Sequence, residues 1–287
     1  MVDYSIVAEG LTYWYGDLVA VDHIGFRVAE GEIMGFLGPN GAGKTTAWNM
    51  LTGQLKPRGG RATVLNRDIA KDPLKVKSEI GVCFEYTNLY EQMSASENLR
   101  LFARLFGIRQ FDDGALLRRV GLEGWGKHRV EEFSKGMKQR LMVARSLVNR
   151  PRILFLDEPT SGLDPVSAEA IRAVILEERE RGASVFLTTH DMMEADKLCD
   201  RVAFINQGKI VALDTPHELK QKYGKRALKA EVAEDSGLEY LEIPLDTAET
   251  ADAVHDLFSQ KRVVTIHSEE ASLEDIFIKI TGRGLDE

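Results

Sequence analysis

The stretch "GPNGAGKTT", residues 38–46, restricts what this chain can fold into more than any other. It fits G-x-x-x-x-G-K-[ST], a loop whose glycines let the backbone curl until successive N–H groups face one centre. The apolar run "GFRVAEGEIMGFLG" leads into it, and a helical run from Thr45 to Leu51 follows until Gly53 stops it. A strand, this loop and a helix together make a polyphosphate site, because the helix N-terminus adds its positive dipole end to the converging N–H groups. Gly38, Pro39, Asn40, Gly41, Ala42, Gly43, Lys44, Thr45 and Thr46 are therefore the candidate nucleotide contacts. Lys44 has the reach for the β- and γ-phosphates of ATP, and the Thr45 hydroxyl for a Mg²⁺ ion.

A second stretch, "ILFLDEPTSGLD", runs from four apolar residues into Asp157 and Glu158. A buried parallel strand carries its last residues to the carboxyl edge of the sheet, where ligands bind. Asp157 would hold Mg²⁺ there, directly or through a water, and Glu158 would orient an attacking water and accept its proton. Alone, the stretch reads equally well as a strand ending in a solvated acidic turn. A phosphate loop in the same chain favours the metal-and-base reading.

Strand patterns alternate with helical ones before and after these motifs, which predicts an α/β fold. From Tyr90 to about Arg150 the pattern is helical. Ser94 and Glu97 have capping-box spacing before "ENLRLFARLFG", whose Leu101, Phe102, Leu105 and Phe106 share one face. Asp164 and Pro165 suit an N-cap and first helical residue. Strands are expected at Ile80–Phe84, Ile153–Leu156 and Val185–Thr188, and in "DRVAFINQGKIVALD". Beyond Tyr223 the character changes to a small acidic α/β tail, so a boundary is placed near Lys225. Residues 1–224 then form one domain, with a helical part at about 90–150, and residues 225–287 an accessory one. Ser272 and Asp275 again have capping-box spacing.

No run approaches the roughly 20 apolar residues that span a bilayer, and "MVDYSIVAEG" lacks a signal-peptide pattern. Cys83 and Cys199 lie far apart without metal-ligand spacing and read as reduced core thiols, so a cytosolic setting is expected. The net charge of −8 disfavours broad contact with nucleic acid or an anionic membrane surface.

The phosphate loop, "FSKGMKQRL" and "LFLDEPTSGLD" stand in an order that resembles the ATP-binding cassette family, specifically a transporter nucleotide-binding subunit. The resemblance covers about Tyr4 to Leu219. It implies a P-loop cassette with an antiparallel β subdomain, a helical signature subdomain and, here, a small C-terminal α+β extension. It implies a homodimer that sandwiches ATP and Mg²⁺, hydrolyses ATP and drives a separate polytopic permease at the inner face of the membrane, with no nucleic-acid partner.

Residue by residue, Tyr15 matches the aromatic that stacks on adenine, with Trp14 beside it as a packing residue. Ser134 and the N–H of Gly136 match the groups that cap the γ-phosphate held by the other subunit. Asp164 closes the D-loop "SGLD", and His190 matches the switch histidine. The signature departs from the commonest pattern at Phe133, Lys135 and Met137, and Lys135 would either add charge near the phosphate or point to water. "SKGMKQR" and the tail "SLEDIFIKITG" are similar to exporters of the drug and sodium efflux type. The tail would stabilise the dimer, regulate it, or only pack.

The strand "IGVCF" leads, in that family, to a glutamine at the metal and the coupling interface. This chain has Glu85 there. A carboxylate is at least as good a Mg²⁺ ligand, but it adds charge beside Asp157, Glu158 and the phosphates. Glu85 is expected either to take the glutamine's catalytic and metal role or to turn outward to a positive group on the permease. Two other functions remain in view: a soluble cassette ATPase acting on nucleic acid or ribosomes, and a slow-hydrolysing nucleotide-dependent regulator.

Overall fold

In the computed structural model, residues 3–224, 226–234, 237–245, 250–282 and 284 are described. Elements β1 (Tyr4–Tyr15), β2 (Leu18–Ala29), β3 (Ile33–Leu37), α1 (Lys44–Leu51), β4 (Gly59–Val64) and β5 (Arg67–Asp68) come first. Then follow α2 (Pro73–Lys77), β6 (Ile80–Cys83), α3 (Ala95–Leu105), α4 (Asp113–Arg119), α5 (Lys135–Ser146) and β7 (Ile153–Asp157). Next are α6 (Pro165–Glu180), β8 (Ser184–Thr189), α7 (Met192–Leu198), β9 (Arg201–Asn206), β10 (Lys209–Asp214) and α8 (Pro216–Tyr223). The last are β11 (Arg226–Glu234), β12 (Gly237–Pro244), α9 (Thr250–Gln260), β13 (Arg262–Glu270) and α10 (Leu273–Thr281).

The chain divides into two compact units, one ending at Asp214 and one running from Thr215 to Gly284. In the first, a six-stranded sheet has the order β10-β9-β3-β8-β7-β6, and a four-stranded antiparallel sheet the order β2-β1-β4-β5. Strands β3, β7 and β8 are buried along their whole length and mainly apolar, as parallel strands covered on both faces are, with polar residues at the ends of β7 and β8. One core joins the two sheets: Ile6, Leu11, Val21 and Phe26 meet Phe36, Trp48, Phe155 and Phe186. Within it, Phe26 and Phe36 lie 5.6 Å apart, and Phe36 and Phe186 5.5 Å. This packing fixes the carboxyl ends of β3, β7 and β8 relative to one another, which is where the candidate site lies.

The predicted caps form. Ser94 and Glu97 make a reciprocal capping box on α3, and Asp164 caps α6 by accepting from Ser167 N at 2.9 Å. The apolar face expected on α3 packs differently. The helix buries Ala95, Leu99 and Ala103, while Leu105 is 71% exposed and Phe106 38%. Leu105 ends the helix and Phe106 is its C-cap, and Phe102 lies under the Arg145 guanidinium at 4.6 Å.

In the second unit, the antiparallel sheet β12-β11-β13 packs Ala230, Val232 and Ile243 against Leu257 of α9. Lys225, the expected boundary, lies outside the described residues. Helix α8 belongs to this unit, ahead of that point, because Lys279 of α10 donates to the Tyr223 carbonyl at 2.8 Å.

Candidate functional site

A cleft of about 430 Å³ opens at the carboxyl edge of β3, β7 and β8. Its lining comprises Tyr15, Leu18, Ala20, Pro39, Asn40, Gly41, Gly43, Lys44, Thr45, Thr46, Glu85, Asp157, Glu158, Ser161 and His190. Gly38 and Ala42 are buried beneath the loop, where the Gly38 carbonyl accepts from Lys44 and the Ala42 carbonyl from Gly208 N at 2.9 Å.

The loop needs its glycines. Gly43 has φ +107°, and a Cβ there would stand 2.4 Å from the Ala20 carbonyl oxygen. A Cβ at Gly38 would stand 2.2 Å from the Ile205 carbonyl. Gly43 is also the N-cap of α1. It offers no capping side chain, and no acid occupies the first turn, so the first N–H groups of α1 are left for an anion. Lys44 Nζ donates to the Gly38 and Pro39 carbonyls at 2.5 and 3.2 Å and stands 3.9 Å from Glu158 Oε1. Burial pulls its pKa down, and the charges of Glu158, Asp157 and Glu85 oppose that.

At the acidic edge, Asp157 is buried and accepts from the Thr188 hydroxyl of the neighbouring strand. Burial raises its carboxyl above the usual range; the Thr188 bond opposes this, and Glu85 and Glu158 reinforce it. Glu158 leaves the strand with φ +47°, a left-handed conformation that costs a non-glycine residue about 1–3 kcal/mol. Its N–H donates to the Thr188 carbonyl at 3.0 Å, and its Oε1 lies 2.9 Å from His190 Nδ1. The strain turns the carboxylate back over the cleft, between Lys44 and His190.

Tyr15 lies at the cleft with its ring 48% exposed and edge-on to Tyr13 at 4.9 Å. Trp14 does not line the cleft; the Arg58 guanidinium covers its ring at 5.1 Å. Glu85 follows β6 and is exposed in the cleft, close enough to act electrostatically on Lys44 and Asp157.

Ser134, Gly136 and Asp164 do not line this cleft, and Gly136 stands instead against Asp164 and Ser167. Ser134 caps α5 by accepting from Met137 N at 3.2 Å. A Cβ on Gly136 would come within 2.6 Å of Ser167 Oγ and 3.3 Å of Asp164 Oδ2. Four residues of the site escaped the sequence reading as contacts there: Thr188, Leu18, Ala20 and Ser161, the last of which was read only as part of the D-loop. The signal for Thr188 was a Thr-Thr pair closing a fully buried apolar strand.

The donors fit Mg²⁺. Thr45, Asp157 and Glu85 offer hard oxygens, and the carboxylates here outnumber the one buried ammonium. Among the described residues no protein-only cage of three or more metal-binding side chains forms. That suits an ion that takes one or two protein ligands and completes its shell with phosphate and water.

Residues 21–161 match the ABC transporter family model. The chain is 47% identical over 283 residues to the fluoroquinolones export ATP-binding protein of Mycobacterium tuberculosis (strain ATCC 25618 / H37Rv), covering 98% of this chain and 94% of that protein. It is 35% identical over 319 residues to a daunorubicin resistance ATP-binding protein of Streptomyces coeruleorubidus, covering 98% of this chain and 96% of that one. A dimeric ATP-binding cassette solved in a post-hydrolysis state with ADP and Pi superposes with a TM-score of 0.67 at 26% identity, over 73% of this chain and 98% of that chain.

Proposed function

The chain belongs to the ABC transporter family as an ATP-binding subunit, and we propose that two copies close on two ATP molecules to drive export through a separate membrane permease. The observation that carries this reading is the Lys44–Glu158–His190 arrangement. A strained backbone holds one carboxylate between a phosphate-loop ammonium and an imidazole 2.9 Å away, inside a cleft with phosphate-binding architecture.

Adenine stacks on Tyr15, an interaction worth about 1–3 kcal/mol. The curled loop and the α1 N-terminus take the phosphates, with Lys44 shifting from its own carbonyls to the β- and γ-phosphates. Mg²⁺, when bound, neutralises charge on the phosphate oxygens; Thr45 and Asp157 hold it, with Glu85 at the glutamine's place. Glu158 orients the attacking water and takes its proton, and His190 holds Glu158 and the γ-phosphate in register. Because Ser134, Gly136 and Asp164 stand outside their own cleft, they act on the nucleotide of the other copy.

Both relatives above are named for export or drug resistance, which supports outward transport. No helix among the described residues is long and apolar enough to cross a membrane; this reading gives the permease to a different chain. This subunit then works peripherally at the cytoplasmic face. The segment from Tyr86 to Leu99 meets the permease; Tyr86 is 79% exposed and Tyr90 53%. The unit ending at Asp214 forms the ATPase proper, and the unit from Thr215 to Gly284 an accessory domain that supports or regulates the dimer.

The test is a tagged pull-down from detergent-solubilised native membranes, with and without ATP. Co-purification of a polytopic membrane protein that raises ATP turnover supports the reading. Recovery of the chain alone, or with RNA and ribosomes, overturns it in favour of a soluble ATP-driven switch.

A further inference from the structure

The signature and the D-loop touch within one copy, and one of the two contacts, Lys135 with Gly162, has no part in the phosphate chemistry proposed above. Lys135 is the first residue of α5, and its ammonium fills the space beside Gly162 where a side chain would stand: a Cβ on Gly162 would lie 2.5 Å from Lys135 Nζ. The next residue repeats the arrangement in reverse. Gly136 leaves the space that Ser167 Oγ and Asp164 Oδ2 occupy. The two segments thus interlock, a lysine into a glycine niche and a glycine onto a capped helix start. Asp164 is held for this by its own bonds to Ser167, which keep its carboxyl below the ordinary range.

The charge is notable for its position. Lys135 is exposed and forms no ion pair among the described residues, whereas Lys138, one turn on, pairs with Glu91 at 2.5 Å. A cation in the first turn of a helix opposes the helix dipole, so this placement is retained against a local electrostatic cost. The ammonium packs against the D-loop turn at Gly162, whose φ of +64° and lack of a side chain make the room for it.

We propose that Lys135 is a positioning residue for ATP-driven closure, clamping the D-loop at Gly162 to the signature helix so that both meet the other copy as one preformed edge. The inference rests on the ATP-sandwich reading above. It explains why a lysine serves at a signature position usually held by glycine: the edge is ordered before closure, so closure loses less conformational freedom.

The experiment measures ATP-driven dimerisation by sedimentation, with Glu158→Gln as the parent so that ATP persists. Into that parent are placed Lys135→Met, which keeps the stem without the charge, Lys135→Arg, and Gly162→Ala, which displaces the ammonium. Lys135→Met is expected to weaken dimerisation by about tenfold, about 1.4 kcal/mol of lost ordering, and Lys135→Arg by no more than about twofold. ATP affinity of the separated copies and the unfolding midpoint should stay at parental values, which a merely structural residue would not allow. In the Gly162→Ala background, Lys135→Met should have little further effect. Equal dimerisation of Lys135→Met and the parent overturns the proposal, as does full additivity with Gly162→Ala. A parent that never dimerises with ATP overturns the sandwich reading itself, and this proposal with it.

Discussion

Replacing Thr188 by Val isolates one hydrogen bond. Thr188 is fully buried, its hydroxyl donates to Asp157, and its carbonyl separately receives the Glu158 N–H at 3.0 Å. Valine keeps the branched shape and the backbone bond but loses the donor. A hydrogen bond to a charged group contributes about 1.5–3 kcal/mol, and a buried acceptor left without it bears its full desolvation cost. Asp157 is already raised by burial and by Glu85 and Glu158, so the lost donor acts on a carboxylate with little other support. Part of that cost should appear in how well Asp157 holds its charge toward Mg²⁺ and the rest in the unfolding midpoint. The upper bound is about 10- to 150-fold more Mg²⁺ for half-maximal ATP turnover. The assay is a Mg²⁺ titration of turnover at fixed ATP, with the unfolding midpoint followed in parallel. Asp157→Asn combined with Thr188→Val should be no worse than Asp157→Asn alone, because both act through the same carboxylate. If Thr188→Val leaves the Mg²⁺ dependence at the wild-type value, the hydroxyl does not support Asp157 and the account of the acidic edge is wrong.

Glu85→Gln should raise the Mg²⁺ needed for half-maximal turnover by about tenfold, the scale of losing one supporting partner at a metal site; unchanged turnover, Mg²⁺ dependence and coupling would falsify its role at the metal. Gly43→Ala forces a side chain into φ +107° with its Cβ 2.4 Å from a backbone oxygen, and should cost at least about 1–3 kcal/mol in urea unfolding, at an unchanged m value. Ser272→Ala removes the cap of α10 and should destabilise the second unit by about 1 kcal/mol, read by circular dichroism. The Ser272 bonds hold Asp275 below its ordinary 3.8, so the stability they give is present above that pH and lost as pH falls through the lower folded value. The variant should lack this acid-side loss, and a pH profile identical to wild type would refute the assignment.

The near half of the site was legible because its chemistry is local. A glycine loop between a strand and a helix needs only neighbouring residues, and Asp157 and Glu158 follow directly on their own strand. The caps at Ser94, Asp164 and Ser272 were legible for the same reason, since each closes within three residues. Thr188 was not, because its bond depends on the pairing of β7 with β8, which sets Asp157 opposite Thr188. No spacing along the chain encodes that register. The Lys135–Gly162 niche needed the chain to return on itself through β7 for the same reason. What covers the apolar face of α3 was not legible, for another reason. Leu101, Phe102, Leu105 and Phe106 do recur at helical spacing, but periodicity reports only that apolar groups share a face. The chain's own core took Ala95, Leu99 and Ala103, whose small and medium side chains let α3 approach its neighbours closely. Leu105 and Phe106 stay exposed on the same chain that exposes Tyr86 and Tyr90. Periodicity marks the face of α3, and the close approach of small side chains across the fold decides which of its residues the chain itself covers.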